Sequence, residues 1–203
     1  MELDHVKTAM ERKGFVVQVF ETVKEAADYL DRSIDKVSVG MGGSTTIQEM
    51  GLFERLSQHN TVWWHNNAEQ KKAYGAAEVR SRAAGTDVYI SSANAVSESG
   101  QIINIDHTGN RVASCCFGHK RLYIVIGKNK IETTLEKAIW RARNIAAPKN
   151  AQRLGVKTPC AVLGDKCYDC TSPDRICRGF LIMEAPVKGQ EIEIVLVNEV
   201  LGY

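Results

Sequence analysis

The sequence predicts an α/β fold in which helices cover both faces of a parallel sheet. Segments of strand and helix character alternate along most of the 203 residues, and the run RLYIVIG at 121–127 is apolar on both faces. A strand with two apolar faces belongs in the middle of a parallel sheet, because helices then bury it from both sides. A hydrophobic content of 44% is enough for a sizeable core.

Residues 3–13 carry an amphipathic helical pattern, and Gly14 is placed to stop it. FVVQVF at 15–20 reads as a strand. Thr22 with Glu25 three residues later is a capping box, opening a helix that carries Ala26, Ala27, Tyr29 and Leu30. A short buried strand at 36–40 runs into the glycine loop MGGSTT at 41–46 and a helix start at Ile47, Glu49 and Met50.

After residues 52–56 comes a strand at 61–65, TVWWH, whose tryptophans must point to opposite faces, one to the core and one to a cleft or a subunit contact. His65, at the strand end, is expected to be solvated rather than catalytic. Residues 67–84 read as one charged, Ala-rich helix. A buried strand at 87–91, a polar loop, a tight turn at Ser99 and Gly100 and a second strand at 101–105 follow. The spacing then predicts a helix over 135–145, closed by Pro148, and an alternating strand at 191–197.

Two loops concentrate more hydrogen-bonding groups than folding needs. Asn94 precedes the strand at 101–105, while Asn104, Asp106, His107, Thr108, Gly109, Asn110 and Arg111 lie at its end and in the loop beyond it. Ligands of α/β proteins sit at the carboxyl ends of strands. Arg111 is expected to pair with a carboxylate, Asn94 and Asn110 to orient the ligand, and Asp106 or His107 to handle protons. Asn104, Thr108 and Gly109 complete this predicted loop site. The competing reading is a plain turn, since Asn, Asp, Gly and Thr are ordinary turn formers.

In the other loop, Gly42 and Gly43 would let the backbone approach a ligand closely. Ser44, Thr45 and Thr46 add hydroxyls at a helix start, a place that favours phosphate or carboxylate. Its competing reading is a helix cap built from small residues.

Lys and Arg number 26 against 24 Asp and Glu, with no dense basic cluster, so a nucleic-acid partner is not expected. The opening MELDHVKTAMERKG has no signal-peptide segment, and no run is long enough to span a bilayer. A cytoplasmic protein without membrane insertion is the expectation. The tryptophan left outside the core and the apolar last strand point towards a homo-oligomer, with a hetero-complex as the alternative.

In that compartment six cysteines read as free thiols or metal ligands. Cys160, Cys167, Cys170 and Cys177 are spaced x6, x2, x6, forming a cysteine-rich insert at 158–178 in a single domain spanning 1–203. Four thiolates suit zinc or an iron–sulfur cluster. The intervening residues look too polar for a core, so a metal would supply the order; free or disulfide-forming thiols are the alternative. Cys115 and Cys116 are expected to be small core residues rather than nucleophiles.

The segments VGMGGSTTIQEMGL, SSANAVSESGQIINIDHTGNRVAS, RARNIAAPKNAQRLG, CYDCTSPDRICR and EIVLVNEVLGY together resemble the LUD-domain family, the lactate utilization protein C-like group. The resemblance covers nearly the whole chain and is most specific at NIDHTGNRVA and CTSPDRIC. It implies a three-layer α/β/α sandwich on a mostly parallel sheet, the fold of sugar-phosphate isomerases, glucosamine-phosphate deaminases and CoA transferases.

The resemblance further implies that Gly42 to Thr46 hold phosphate or carboxylate, and that Asn94 and Asp106 to Arg111 occupy the acid–base loop. Two departures matter. His107 stands where the family has the first glycine of Asp-Gly-Thr-Gly-Asn, and Asn94 stands where isomerase relatives have an acid. At the level of function the resemblance implies a small anionic metabolite, either a lactate-class acid or a sugar phosphate. It points to a place beside an iron–sulfur L-lactate-oxidising system, with a redox protein as partner. A non-catalytic relay or docking subunit, and an isomerase or acyl-transferring enzyme using Glu49, Glu98 or Asp106, are the alternatives.

Overall fold

Six strands form one parallel sheet in the order β1 (Val16–Phe20), β10 (Glu191–Val197), β7 (Arg121–Gly127), β4 (Val88–Ser92), β2 (Ser38–Met41) and β3 (Thr61–Trp64). These relationships come from a computed structural model describing residues 3–203; Met1 and Glu2 of the expected 1–203 domain lie outside the described residues. Alternation along the central strands splits the interior into two layers. Tyr123, Val125, Val195 and Val197 face one way, against Ala26, Leu30, Leu52 and Leu56. Leu122, Ile124, Ile126, Ile194 and Leu196 face the other, against Val6, Met10, Ala83 and Cys115.

The helices that supply those side chains form the two outer layers. On the first face lie α2 (Val23–Ser33), α3 (Thr45–Glu49) and α4 (Leu52–Leu56), with the Thr22–Glu25 capping box in place. On the second lie α1 (Asp4–Arg12), α6 (Ala76–Ala84) and α7 (Asn110–Cys116). The result is the three-layer α/β/α sandwich.

Several details differ from the sequence expectation. The predicted helix at 67–84 is two helices, α5 (Ala68–Tyr74) and α6, broken at Gly75, whose φ of +78° and ψ of 149° only glycine adopts without strain. Pro148 does not close the helix at 135–145. α8 (Leu135–Arg141) passes through a π-helical turn at 142–146 into α9 (Ala147–Leu154), and Pro148 sits just past that turn. The strand expected at 191–197 is β10, which lies between β1 and β7 and is buried from Ile192 onward.

A second sheet was not foreseen: β8 (Ile131–Glu132), β5 (Ala95–Ser97), β6 (Ile102–Asp106) and β9 (Gly179–Met183), in that order. The hairpin β5–β6 turns at Ser99 and Gly100, and Ile103 and Ile105 pack on Ala138, Ala142 and Ala147.

Neither Trp63 nor Trp64 is a free surface. Trp64 is buried and Trp63 lies under Arg82, 4.6 Å from the guanidinium carbon to the ring centre, with Tyr74 edge-on. The exposed tryptophan is Trp140 on α8. No described helix is long and apolar enough to cross a membrane.

Candidate functional site

The chain leaves β2 into α3, runs out to the edge strand β3, then returns past β2 to enter β4 on its other side. Diverging connections at the carboxyl ends of adjacent parallel strands open a crevice. Here it is a cleft of about 300 Å³ whose lining includes Gly43, His65, Asn94, Asp106 and Arg111.

Gly42 and Gly43 are there for close approach. A Cβ on Gly42 would stand 3.0 Å from Arg111 Cδ, and one on Gly43 would stand 3.0 Å from His65 Nε2. Trp64 Nε1 fixes the loop by donating to the Gly42 carbonyl at 3.1 Å. Ser44 caps α3 by accepting from Ile47 N, while the buried Thr45 Oγ1 has no hydrogen-bond partner.

Asp106 ends β6 and caps the turn into α7. Its Oδ2 accepts from Arg111 N and its Oδ1 from Arg111 Nε, both at 3.1 Å, and Arg111 Nη2 donates to the Ile105 carbonyl at 2.6 Å. Arg111 is therefore held rigidly inside the chain, with Nη1 free of hydrogen bonds to described residues. Asn94 Oδ1 accepts from Ile105 N at 2.7 Å, which leaves its amide NH₂ for the cleft.

Of the residues singled out from the sequence, Gly43, Asn94, Asp106, His107, Thr108, Asn110 and Arg111 line this cleft, and Ser44 and Thr45 line the recess beside it. Gly42, Asn104 and Gly109 are not among the lining residues; Asn104 is buried within β6, its Oδ1 without a partner. Glu49 accepts from Gly202 N, and Glu98 lies by His5, so neither alternative carboxylate enters the cleft.

The sequence missed the walls. His65 is only partly exposed: burial first, and the Arg80 charge second, push its imidazole down to about 4, and its buried Nδ1 has no partner. Lys71, Arg80 and Arg153 also line the cleft, and Arg80 Nε is buried without a partner. Buried polar atoms in folded proteins are nearly always bonded, so orphans gathered in one cleft mark a place built for something else. Lys130 and Arg141 were missed as well. Both are buried, and Arg141 bonds the Asn94 and Asn129 carbonyls. Each lies in a stretch that reads as an ordinary charged turn or helix, with no local signal.

A larger groove of about 1110 Å³ crosses the opposite ends of the same strands. Its charges are already paired, Lys120 with Asp87, Arg121 with Glu191 and His59 with Asp31 and Asp35, so it lacks the orphans of the cleft.

Cys160, Cys167, Cys170 and Cys177 are free thiols, half-buried, and all four line one chamber of about 240 Å³. Arg175 donates to Cys177 Sγ through Nε at 3.3 Å and Nη2 at 3.2 Å, and Asp169 N approaches Cys167 Sγ at 3.4 Å. Such donors stabilise negative charge on sulfur. As placed, no three His, Cys, Asp or Glu side chains among the described residues are arranged to hold a metal ion. By their chemistry alone, four thiols are the donor set of a thiophilic centre. The insert is not coreless: Ala161 and Ile176 pack with Ala151, Val156 and Cys160. Ile105, Ala147 and Ile176 line both chamber and cleft. Cys115 is a core residue, its thiol pushed up to about 12 by burial.

Fold and site together define a doubly covered parallel α/β sandwich with a cation-rich cleft at the carboxyl ends of its strands. The chain belongs to the LUD domain family, whose profile matches residues 3–197. That membership associates it, at the level of the family, with lactate utilisation. Among solved structures it is similar to a DUF162 family protein from Deinococcus radiodurans, at 11% identity with a TM-score of 0.53, covering 96% of this chain and 94% of that one. This likeness is one of fold. None of the curated proteins compared matches the chain.

Proposed function

We propose that the protein binds a small anionic metabolite, a lactate-class acid or a sugar phosphate, between the 42–46 and 106–111 loops. The observation that carries this is the convergence of four cations, Lys71, Arg80, Arg111 and Arg153, on a cleft whose one carboxylate, Asp106, is already bonded to Arg111. Unpaired positive charge in a partly enclosed site attracts an anion more strongly than the same charge in water. Arg111 supplies the fixed guanidinium, the Asn94 and Asn110 amides orient the ligand, and His107 at the rim is the group placed to exchange a proton.

Calorimetric titration with L-lactate, related hydroxy and oxo acids and sugar phosphates tests the reading. Binding that weakens at least tenfold in Arg111→Ala is the expected result. Unchanged affinity in that variant removes the loop from the site.

The four cysteines are proposed to hold a metal centre, and the one chamber that all four residues line supports this. An iron–sulfur cluster bound there would supply one-electron transfer, while zinc would supply structural order. A relay or docking role for a redox partner is the second reading. It is favoured by the three apolar side chains common to chamber and cleft, and by Val162 and Leu163 exposed beside Cys160.

A further inference from the structure

Lys130 follows the central strand β7 and is 3% exposed, yet it forms no ion pair among the described residues. Its Nζ donates to Thr46 Oγ1 at 2.7 Å and Ser92 Oγ at 2.9 Å. Both hydroxyls pass their hydrogens on, Thr46 to the Leu201 carbonyl and Ser92 to the Ala93 carbonyl. Those two hydroxyls accept two of the N–H groups of Lys130. An ammonium would carry a third N–H with no acceptor.

Lys130 lines a recess of about 30 Å³ together with Ser44, Thr45, Thr46, Asn94 and Arg111. At roughly 10–15 Å³ for each water-sized position, that is room for two oxygens rather than a phosphoryl group. Thr45, whose Oγ1 is orphaned, lines it, and Gly43, Asn94, Arg111 and Asn150 are common to the recess and the larger cleft. The charges that face Lys130 are Arg141 from α8, Arg111 from α7 and Glu49 from α3, with Glu132 of β8 lying 3.8 Å from Arg141. Burial first and the two arginines next lower the titration of Lys130 to about 7, with Glu49 opposing.

We propose that this recess is the carboxylate subsite of the cleft, and that the Lys130 amine, where it is neutral, takes up one proton from solvent as a carboxylate enters. The inference rests on the anion reading of the cleft and adds the group that recognises the acid. The entering carboxylate supplies the acceptor that the third N–H lacks. One proton is bound per anion, so affinity is level where the free amine is already charged and falls about tenfold per pH unit above that range.

The test is acetate titrated into the whole protein from about pH 6 to about pH 9, with Lys130 Nζ followed by NMR after lysine labelling. Lys130 is expected to titrate near neutrality alone and to shift to higher pH with acetate. The acetate affinity is expected to lose its slope in Lys130→Met. A Lys130 that stays charged up to about pH 9 without acetate, or one whose titration acetate leaves unmoved, overturns the proposal. The NMR measurement on the unaltered protein stands even where Lys130→Met fails to fold. Arg80→Gln separates the two readings. If acetate moves Lys130 but no larger acid binds in a way that depends on Arg80, the cleft reading fails and the recess stands.

Discussion

Asp106 grips Arg111 twice across five residues, taking the main-chain N–H on one oxygen and Nε on the other, with the two side chains 8% and 10% exposed. The carboxylate thereby fixes both the first turn of α7 and the direction of the guanidinium. Breaking a buried pair from one side strands the remaining charge, which costs about 3–5 kcal/mol. Asp106→Ala is expected to lose stability in that range by urea unfolding. Asp106→Leu combined with Arg111→Met should recover most of it, and a single variant costing under about 1 kcal/mol would show the pair to be solvated.

Gly42→Ala tests the close approach of the loop to Arg111. The added methyl meets Arg111 Cδ at 3.0 Å and Ser91 Oγ at 3.2 Å, so the guanidinium must move. A stability loss of about 1–3 kcal/mol is expected, together with weaker binding of whichever acid the titrations identify. Full affinity in a stable Gly42→Ala protein would detach the position of Arg111 from recognition.

His65 makes the fold sensitive to acid. Its folded value lies near 4, below the ordinary 6.5, because burial and then Arg80 disfavour the imidazolium. As pH falls from about 6.5 the unfolded chain takes up a proton that the folded chain refuses until about 4, so stability is lost across that window and is complete above it. His65→Gln is expected to flatten the fall in thermal midpoint over this range. An equal slope in wild type and variant would place the loss elsewhere.

Metal content separates the readings of the cysteine chamber. Iron with acid-labile sulfide and a visible absorption band in protein purified without oxygen, both lost in Cys167→Ser, would identify a cluster. Stoichiometric zinc, with no colour, would make the insert structural. Thiols that bind neither metal nor cluster under these conditions would remove the electron-relay reading.

The layered sheet was legible because its signals are local. The double-faced apolar run of β7, the Thr22–Glu25 cap and the strand, glycine loop and helix sequence at 38–49 each declare themselves within a few residues. The loops at 42–46 and 106–111 were legible for the same reason, and topology places both at one crevice. The second sheet was not, since β8 and β9 are short or lack a clean alternation and gain their identity from pairing with β5 and β6.

The sequence by itself determined the layered sheet, the two polar loops and the four spaced thiols, because periodicity, turn chemistry and cysteine spacing are properties of neighbouring residues. Tertiary structure alone decided that His65, Arg80 and Lys130 belong beside those loops. A histidine at a strand end or a lysine in a GKNK turn reads as solvated until elements far apart in the chain bury it. Burial removes the water that would have satisfied those groups, and no pattern of neighbouring residues records that loss.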